Sequence, residues 1–250
     1  MKTRSLAAFA LCAAPLTASA ELSNADVGRP HDPADAPFVW HLDAALVTDA
    51  PASLGAQVTA TLPHRIRLGT SLGILPGAYV SLINAVATAA GWYTEDTAEV
   101  IDDALSRAVV WTVQLGWQPW DDSGFHVDLG YGLAALGGAT SSGEALGAAT
   151  GVPAPFAGED YDIDSTLHTL RLDFGWRFDL YADALYLDAA IGVLTTVAAE
   201  TVVTPPPSDR PFGQAGRQRL ADETETYLDD TYTTYVHSPT VTLGLGWRFF

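Results

Sequence analysis

Through most of the chain hydrophobic residues recur at every second position, the period of a strand whose two faces meet different surroundings. Phe38, Trp40, Leu42, Ala44 and Leu46 share one parity against Val39, His41, Asp43, Ala45 and Val47. After a turn at 49–52, Leu54, Ala56, Val58, Ala60 and Leu62 alternate with Gly55, Gln57, Thr59 and Thr61. Pro63 cannot donate to a central ladder, which predicts a tight turn at 62–65. Parity nevertheless runs unbroken from Val58 to Leu72, so one long strand through Pro63 is the alternative. The third run sets Ile66, Leu68, Thr70, Leu72 and Ile74 against Arg65, Arg67, Gly69, Ser71 and Gly73. Further runs follow at Val109 to Gln118, Phe125 to Leu133, His168 to Phe178, Leu185 to Val193 and Val241 to Phe249.

Three stretches break this period. Across 76–107, Pro76, the helical spacing of Tyr79, Leu82, Ile83 and Val86, and a stop at Gly91 predict one helix. Thr94 as N-cap, with Ala98, Ile101, Ala104, Leu105 and Ala108 on one stripe, predicts a second, so a helical hairpin is expected here, capping the barrel mouth or docking on a partner. Residues 137–164 and 200–235, the latter with Pro205-Pro206-Pro207, are expected to be long loops. Eight strands result. The three long connections then fall at one end, and the short turns at 62–65, 121–124 and 179–183 at the other. Merging the second and third strands would give an odd count and spoil that sorting; ten strands, with a pair hidden in the long loops, is a further alternative.

The closing strand has Val241, Leu243, Leu245, Trp247 and Phe249 on one face and Thr242, Gly244, Gly246 and Arg248 on the other. It resembles the C-terminal strand of bacterial outer-membrane β-barrels, and the strand count resembles their small, eight-stranded OmpA/OmpX-like class. The resemblance implies an all-β fold, a transmembrane antiparallel up-and-down barrel with a helical hairpin in one extracellular loop. It also implies that Leu243, Leu245, Trp247, Phe249 and Phe250 form an insertion signal read by the barrel-assembly machinery. Phe249 is the last residue of outward parity, so Phe250 is either an extra residue or is brought outward by a bulge near Arg248. Trp40, Trp117, Trp120, Trp176 and Trp247 all fall at the short-turn end, as an aromatic girdle at a membrane interface would.

The N-terminus agrees. Lys2 and Arg4, the apolar run Leu6 to Leu16, and Ala18-Ser19-Ala20 make residues 1–20 a cleaved signal peptide. Residues 21–37 are then a flexible periplasmic leader and 38–250 the barrel, in the outer membrane of a Gram-negative cell. The only cysteine, Cys12, lies in the signal, so disulfides and thiol chemistry are not expected of the mature chain.

The formal charge of the whole chain is −18, and beyond residue 20 ten arginines face all thirty acidic residues, which argues against nucleic acid as a partner. The expected partners are outer-membrane lipids, lipopolysaccharide and, at the acidic outer loops, divalent cations. Asp160, Asp162 and Asp164 have the alternate carboxylates of a calcium loop but lack its glycine and closing glutamate, which makes them a weak metal candidate. No cofactor is expected.

If the apolar faces meet lipid, a polar network fills the lumen: His41, Asp43, Arg65, Arg67, His126, Asp128, Arg171, Asp173, Arg177, Asp188 and Arg248. An eight-stranded barrel is just wide enough to be filled by side chains. Paired Arg and Asp are therefore expected to plug it, and a narrow passive porin-like channel is the competing reading. His41-x-Asp43 and His126-x-Asp128 put imidazole and carboxylate on one strand face, as an acid/base dyad would. No serine is placed beside either pair, both sit near the short-turn end, and an enzyme is not expected. The role implied is structural or surface-binding.

Overall fold

Eight antiparallel strands, each bonded to its sequence neighbours and the last to the first, close a barrel. The structure is a computed structural model that describes residues 40–89, 108–120, 123–151, 158–181, 184–207 and 211–249. The strands are β1 (His41–Ala50), β2 (Ser53–Leu62), β3 (Ile66–Ile74), β4 (Val109–Trp117), β5 (Phe125–Ser142), β6 (Asp160–Tyr181), β7 (Leu185–Thr204) and β8 (His237–Arg248). The expected signal peptide and leader lie outside the described residues. A 3-10 turn at Pro63–Arg65 separates β2 from β3, so the single long strand through Pro63 does not form.

Within the barrel the alternation holds on every strand. Leu46, Leu72, Leu115, Leu129, Ile191 and Leu245 stand more than half exposed on the outer wall, while Asp43, Thr59, Arg67, His126 and Arg171 are buried inside. Burial is thus inverted relative to a protein that keeps its apolar groups from water. Lumen glycines make the polar filling possible. A Cβ on Gly175 would sit 2.3 Å from His126 Nε2, and one on Gly246 would sit 2.2 Å from the Tyr186 ring.

The two ends differ. The connections 63–65, 118–124 and 182–184 are short, whereas the other end receives the three long insertions. Two of these correct the sequence expectation. The stretch 137–164 is not a loop: β5 runs to Ser142, helix α2 (Gly143–Thr150) follows, and β6 already begins at Asp160. Ser142 Oγ accepts from the Ala145 N–H at 3.3 Å and Gly151 closes α2 in the left-handed region, φ 72°. Nor is 200–235 a loop, since β7 continues to Thr204 and Pro211–Tyr235 form a 25-residue helix, here called α3. Of the expected hairpin, the first arm is present as Gly77–Ala89, labelled α1, and the second falls in 90–107, outside the described residues.

Strands β5, β6 and β7 therefore extend beyond the barrel as a three-stranded sheet. Register shifts between Leu136 and Ala139 on β5 and opposite His168/Thr169 on β7 mark the transition, as extra residues bend a strand and strengthen its twist. On the inward face of this extension Tyr161, Ile163, Leu167 and Val203 pack with Leu220, Ala221, Leu228 and Tyr232 of α3, Leu146 of α2 and Val80 of α1. This apolar core sits over the polar lumen, with Tyr79 Oη and Thr48 Oγ1 2.5 Å apart at its rim. Among the described residues all three helices contribute to this core.

Candidate functional site

The lumen is where the fold brings charged residues from most strands together. At the short-turn end Asp43, fully buried on β1, receives Arg177 Nη1 at 2.6 Å and Arg248 Nε at 3.4 Å. Asp43 and Arg248 are direct cross-strand partners, as are Arg177 and Asp188. Arg177 also lies 4.0 Å over the Tyr186 ring, and Arg248 reaches Asp179 at 3.7 Å. One level inward, Arg67 bridges Asp128 at 3.6 Å and Asp188 at 3.5 Å, and His126 Nε2 lies 3.4 and 3.5 Å from the same two carboxylates.

Nearer the mouth Arg171 holds both oxygens of Asp173, Nε–Oδ2 2.6 Å and Nη2–Oδ1 3.0 Å, and reaches Asp49 at 3.2 Å. Thr242 Oγ1 donates to Asp49 Oδ1 at 2.6 Å. Asp128 and Asp173 face one another across the β5–β6 ladder. That repulsion is met from either side by Arg67 and Arg171, because a buried charge is tolerated only when it is paired and hydrogen-bonded. Between the two layers Gln57 Nε2 donates to Gln114 Oε1 at 2.7 Å. The cavity left among Gln57, Arg67, Gln114, Asp128, Arg171 and Asp188 is about 20 Å³, room for roughly one water.

Two of the residues assigned to the lumen from sequence sit outside this cluster or at its edge. Arg65 is a correction: strand parity was carried through the turn, but His64 and Arg65 take φ 61° and 65°, which turns Arg65 out to the surface, where Nη1 donates to the Pro119 carbonyl at 2.7 Å. His41 is partly buried at the rim opposite Thr61, while the carboxylate of Asp43 is taken by Arg177 and Arg248. The second dyad does meet, with His126 Nε2 3.4 Å from Asp128 and His126 only 2% exposed. Thr242, Gln57 and Tyr186 complete the network; their inward parity was visible, their contacts were not.

Outside, Trp40, Trp117, Trp120, Trp176 and Trp247 are each 43–59% exposed, and Phe125 links Trp120 and Trp176 at centroid distances of 5.5 and 5.0 Å. A second ring, nearer the mouth, was missed by sequence reasoning. Trp111 Nε1 donates to Thr70 Oγ1 at 3.0 Å, Tyr131 Oη bonds His168 Nδ1 at 2.5 Å, and Thr195 Oγ1 bonds His237 Nδ1 at 2.6 Å. From Trp176 to His168 is about 26 Å along the strand, or about 20 Å along the axis at the usual tilt. At the chain end Phe249 points outward and its N–H continues the β1 ladder to the Leu42 carbonyl at 2.9 Å. No bulge interrupts the described residues near Arg248, and Phe250 lies outside them.

The acidic run was expected in a loop and is in β6 instead. Asp160, Asp162 and Asp164 alternate along the exposed face of the strand extension. Among the described residues no group of three or more His, Cys, Asp or Glu side chains is arranged to hold a metal ion. Beside the run, Arg217 of α3 donates through Nε and Nη2 to both carboxylate oxygens of Glu159, and this holds the Glu159 carboxyl below the ordinary glutamate range.

An even-numbered antiparallel barrel with an apolar wall, an aromatic ring at its short-turn end and a polar interior is the architecture of the small transmembrane barrels. No family model matches the chain, and no curated protein does. Among solved structures it is similar to CarO of Acinetobacter baumannii, at 10% identity and a TM-score of 0.35, over 84% of this chain and 98% of that one. A major outer membrane protein from Thermus thermophilus gives 14% identity and a TM-score of 0.39 with the same coverage. The fold assignment rests on the chain's own ladders.

Proposed function

We propose that the chain is an integral outer-membrane barrel closed to solutes, with a structural or surface-binding role, exported by residues 1–20 and embedded through its apolar wall. The observation that carries this reading is the pairing of an apolar exterior with a lumen whose buried aspartates each meet an arginine. A wall bearing Leu46, Leu72, Leu115 and Ile191 at 73, 59, 55 and 62% exposure has no place in water. The plug supports a closed rather than a conducting state, and the apolar core under α3 adds a second barrier above it. Lipopolysaccharide and outer-leaflet lipids are the neighbours this wall fits, with the tryptophan ring toward the periplasm.

The test is depth-dependent quenching of tryptophan fluorescence after reconstitution into vesicles containing brominated lipids. Labels near the headgroups should quench the girdle tryptophans more strongly than labels at the bilayer centre. A chain that stays monomeric in buffer without detergent and shows no quenching would overturn the membrane assignment.

A further inference from the structure

Strand β7 ladders with β6 as far as Thr204↔Asp162 but with β8 only as far as Thr195↔His237. Over 196–204 its other edge has no strand beside it among the described residues, and an uncovered edge is a template for another chain. The edge amides are nevertheless taken. The Thr196 N–H donates to the Val236 carbonyl at 3.1 Å, the Val203 N–H donates to Glu225 Oε1 at 2.9 Å, and the Asp229 carboxylate is set beside Thr201.

The spacing explains why one helix can do this. Glu225 and Asp229 are four residues apart, a rise of about 6 Å. Thr201 and Val203 are two strand residues apart, about 6.7 Å. Two carboxylates on successive turns of α3 thus stand where the carbonyls of a neighbouring strand would be. They reach the edge from the face that α3 already covers, since Leu220, Leu228 and Tyr232 anchor the helix on the inward side. Removing the carboxylates takes these acceptors from the edge and leaves the apolar anchors of α3 in place.

We propose that the outer edge of β7 is a latent pairing surface for a second copy of this chain, kept closed by the carboxylates of Glu225 and Asp229. The occupant follows from the edge itself. An antiparallel twofold pairing centred on Val202 sets Thr201 against Val203 of the second copy, so the Val203 amide now held by Glu225 and the Thr201 amide beside Asp229 become reciprocal ladder bonds. Val202, 52% exposed on the outer face, meets its own counterpart, and Glu200 faces Thr204. Centring on Glu200 would instead oppose two like charges, which is destabilising. This inference concerns the strand extension and does not depend on whether the lumen is sealed.

The experiment uses the purified mature chain in detergent, with Val202→Cys as the reporter. With the acidic pair intact, native mass spectrometry should show a monomer and little disulfide cross-linking. Glu225→Ala/Asp229→Ala should give a dimer and raise cross-linking by about ten-fold, which corresponds to about 1.4 kcal/mol of added association. A double variant that keeps its circular dichroism yet stays monomeric and uncross-linked overturns the proposal. If it loses its fold, Glu225→Ala alone is read the same way with the same consequence. An equal rise for Ile191→Cys on the outer wall would mean unspecific association and would also overturn it.

Discussion

Arg171 on β6 reaches Asp49 on β1 across the lumen, Nη2 to Oδ1 at 3.2 Å, although these two strands share no ladder. The same guanidinium holds both oxygens of Asp173 and the hydroxyl of Thr242, so one side chain ties β1, β6 and β8. Arg171→Ala leaves two buried carboxylates without their cation. A loss of about 3–5 kcal/mol is expected, read as a lower urea midpoint in detergent. Arg171→Lys should recover less than half of it, because a point charge cannot serve both carboxylates as the planar fork does.

Gly246 leaves room for Tyr186, whose Cζ lies 2.2 Å from where a Cβ would stand. Gly246→Ala is expected to cost about 1–3 kcal/mol through overpacking. In the Tyr186→Leu background the same substitution should cost much less, a coupling that a double-mutant cycle measures. Gly77→Ala is the control, as nothing lies within 4 Å of that position.

Acid should loosen α3 through Glu159. Its carboxyl is held below the ordinary range, first by the hydrogen bonds from Arg217 and then by the attraction of the guanidinium. A depressed carboxyl contributes stability that is present above its unfolded value and is lost as pH falls through the folded one. Amide exchange in α3 should therefore accelerate below the ordinary glutamate midpoint. Glu159→Gln should remove that step and leave exchange faster at neutral pH.

Burial in the mouth core pushes the Tyr232 phenol up to about 12. The neutral form is favoured in the folded chain, so its contribution is complete below the unfolded tyrosine value of about 10 and is lost as pH rises from there through the folded value. Ultraviolet titration should show a late-ionising step whose amplitude falls by one phenol in Tyr232→Phe. Ionisation of every tyrosine near the ordinary value would contradict the burial of α3.

The barrel was legible because each of its strands separates an apolar exterior from a polar interior, so a period of two survives over five or more residues. The extension was not, because its two register shifts reverse the parity. Gly137-Gly138 on β5 and Val197-Ala198-Ala199 on β7 carry no polar contrast to reveal the change. Helix α3 did leave a trace: Arg217, Leu220, Ala221, Thr224, Leu228, Thr231 and Tyr232 are buried at helical spacing. Threonines and an arginine occupy nearly half of that stripe, and the prolines at 205–207 pointed to a loop. The lumen residues were found by parity alone, which cannot choose partners; Arg65 was misplaced because parity continues on paper through a turn where the backbone changes hand.

A barrel closed by paired charges conducts no ions. Purified protein reconstituted in a planar bilayer should produce no stepwise currents under an applied potential, whereas Arg171→Ala combined with truncation of the α3 anchors Leu220 and Leu228 to alanine should produce them. Stepwise currents from the unaltered chain that disappear when Arg67, Arg171 or Arg177 is replaced would contradict the sealed lumen and establish an arginine-lined pore.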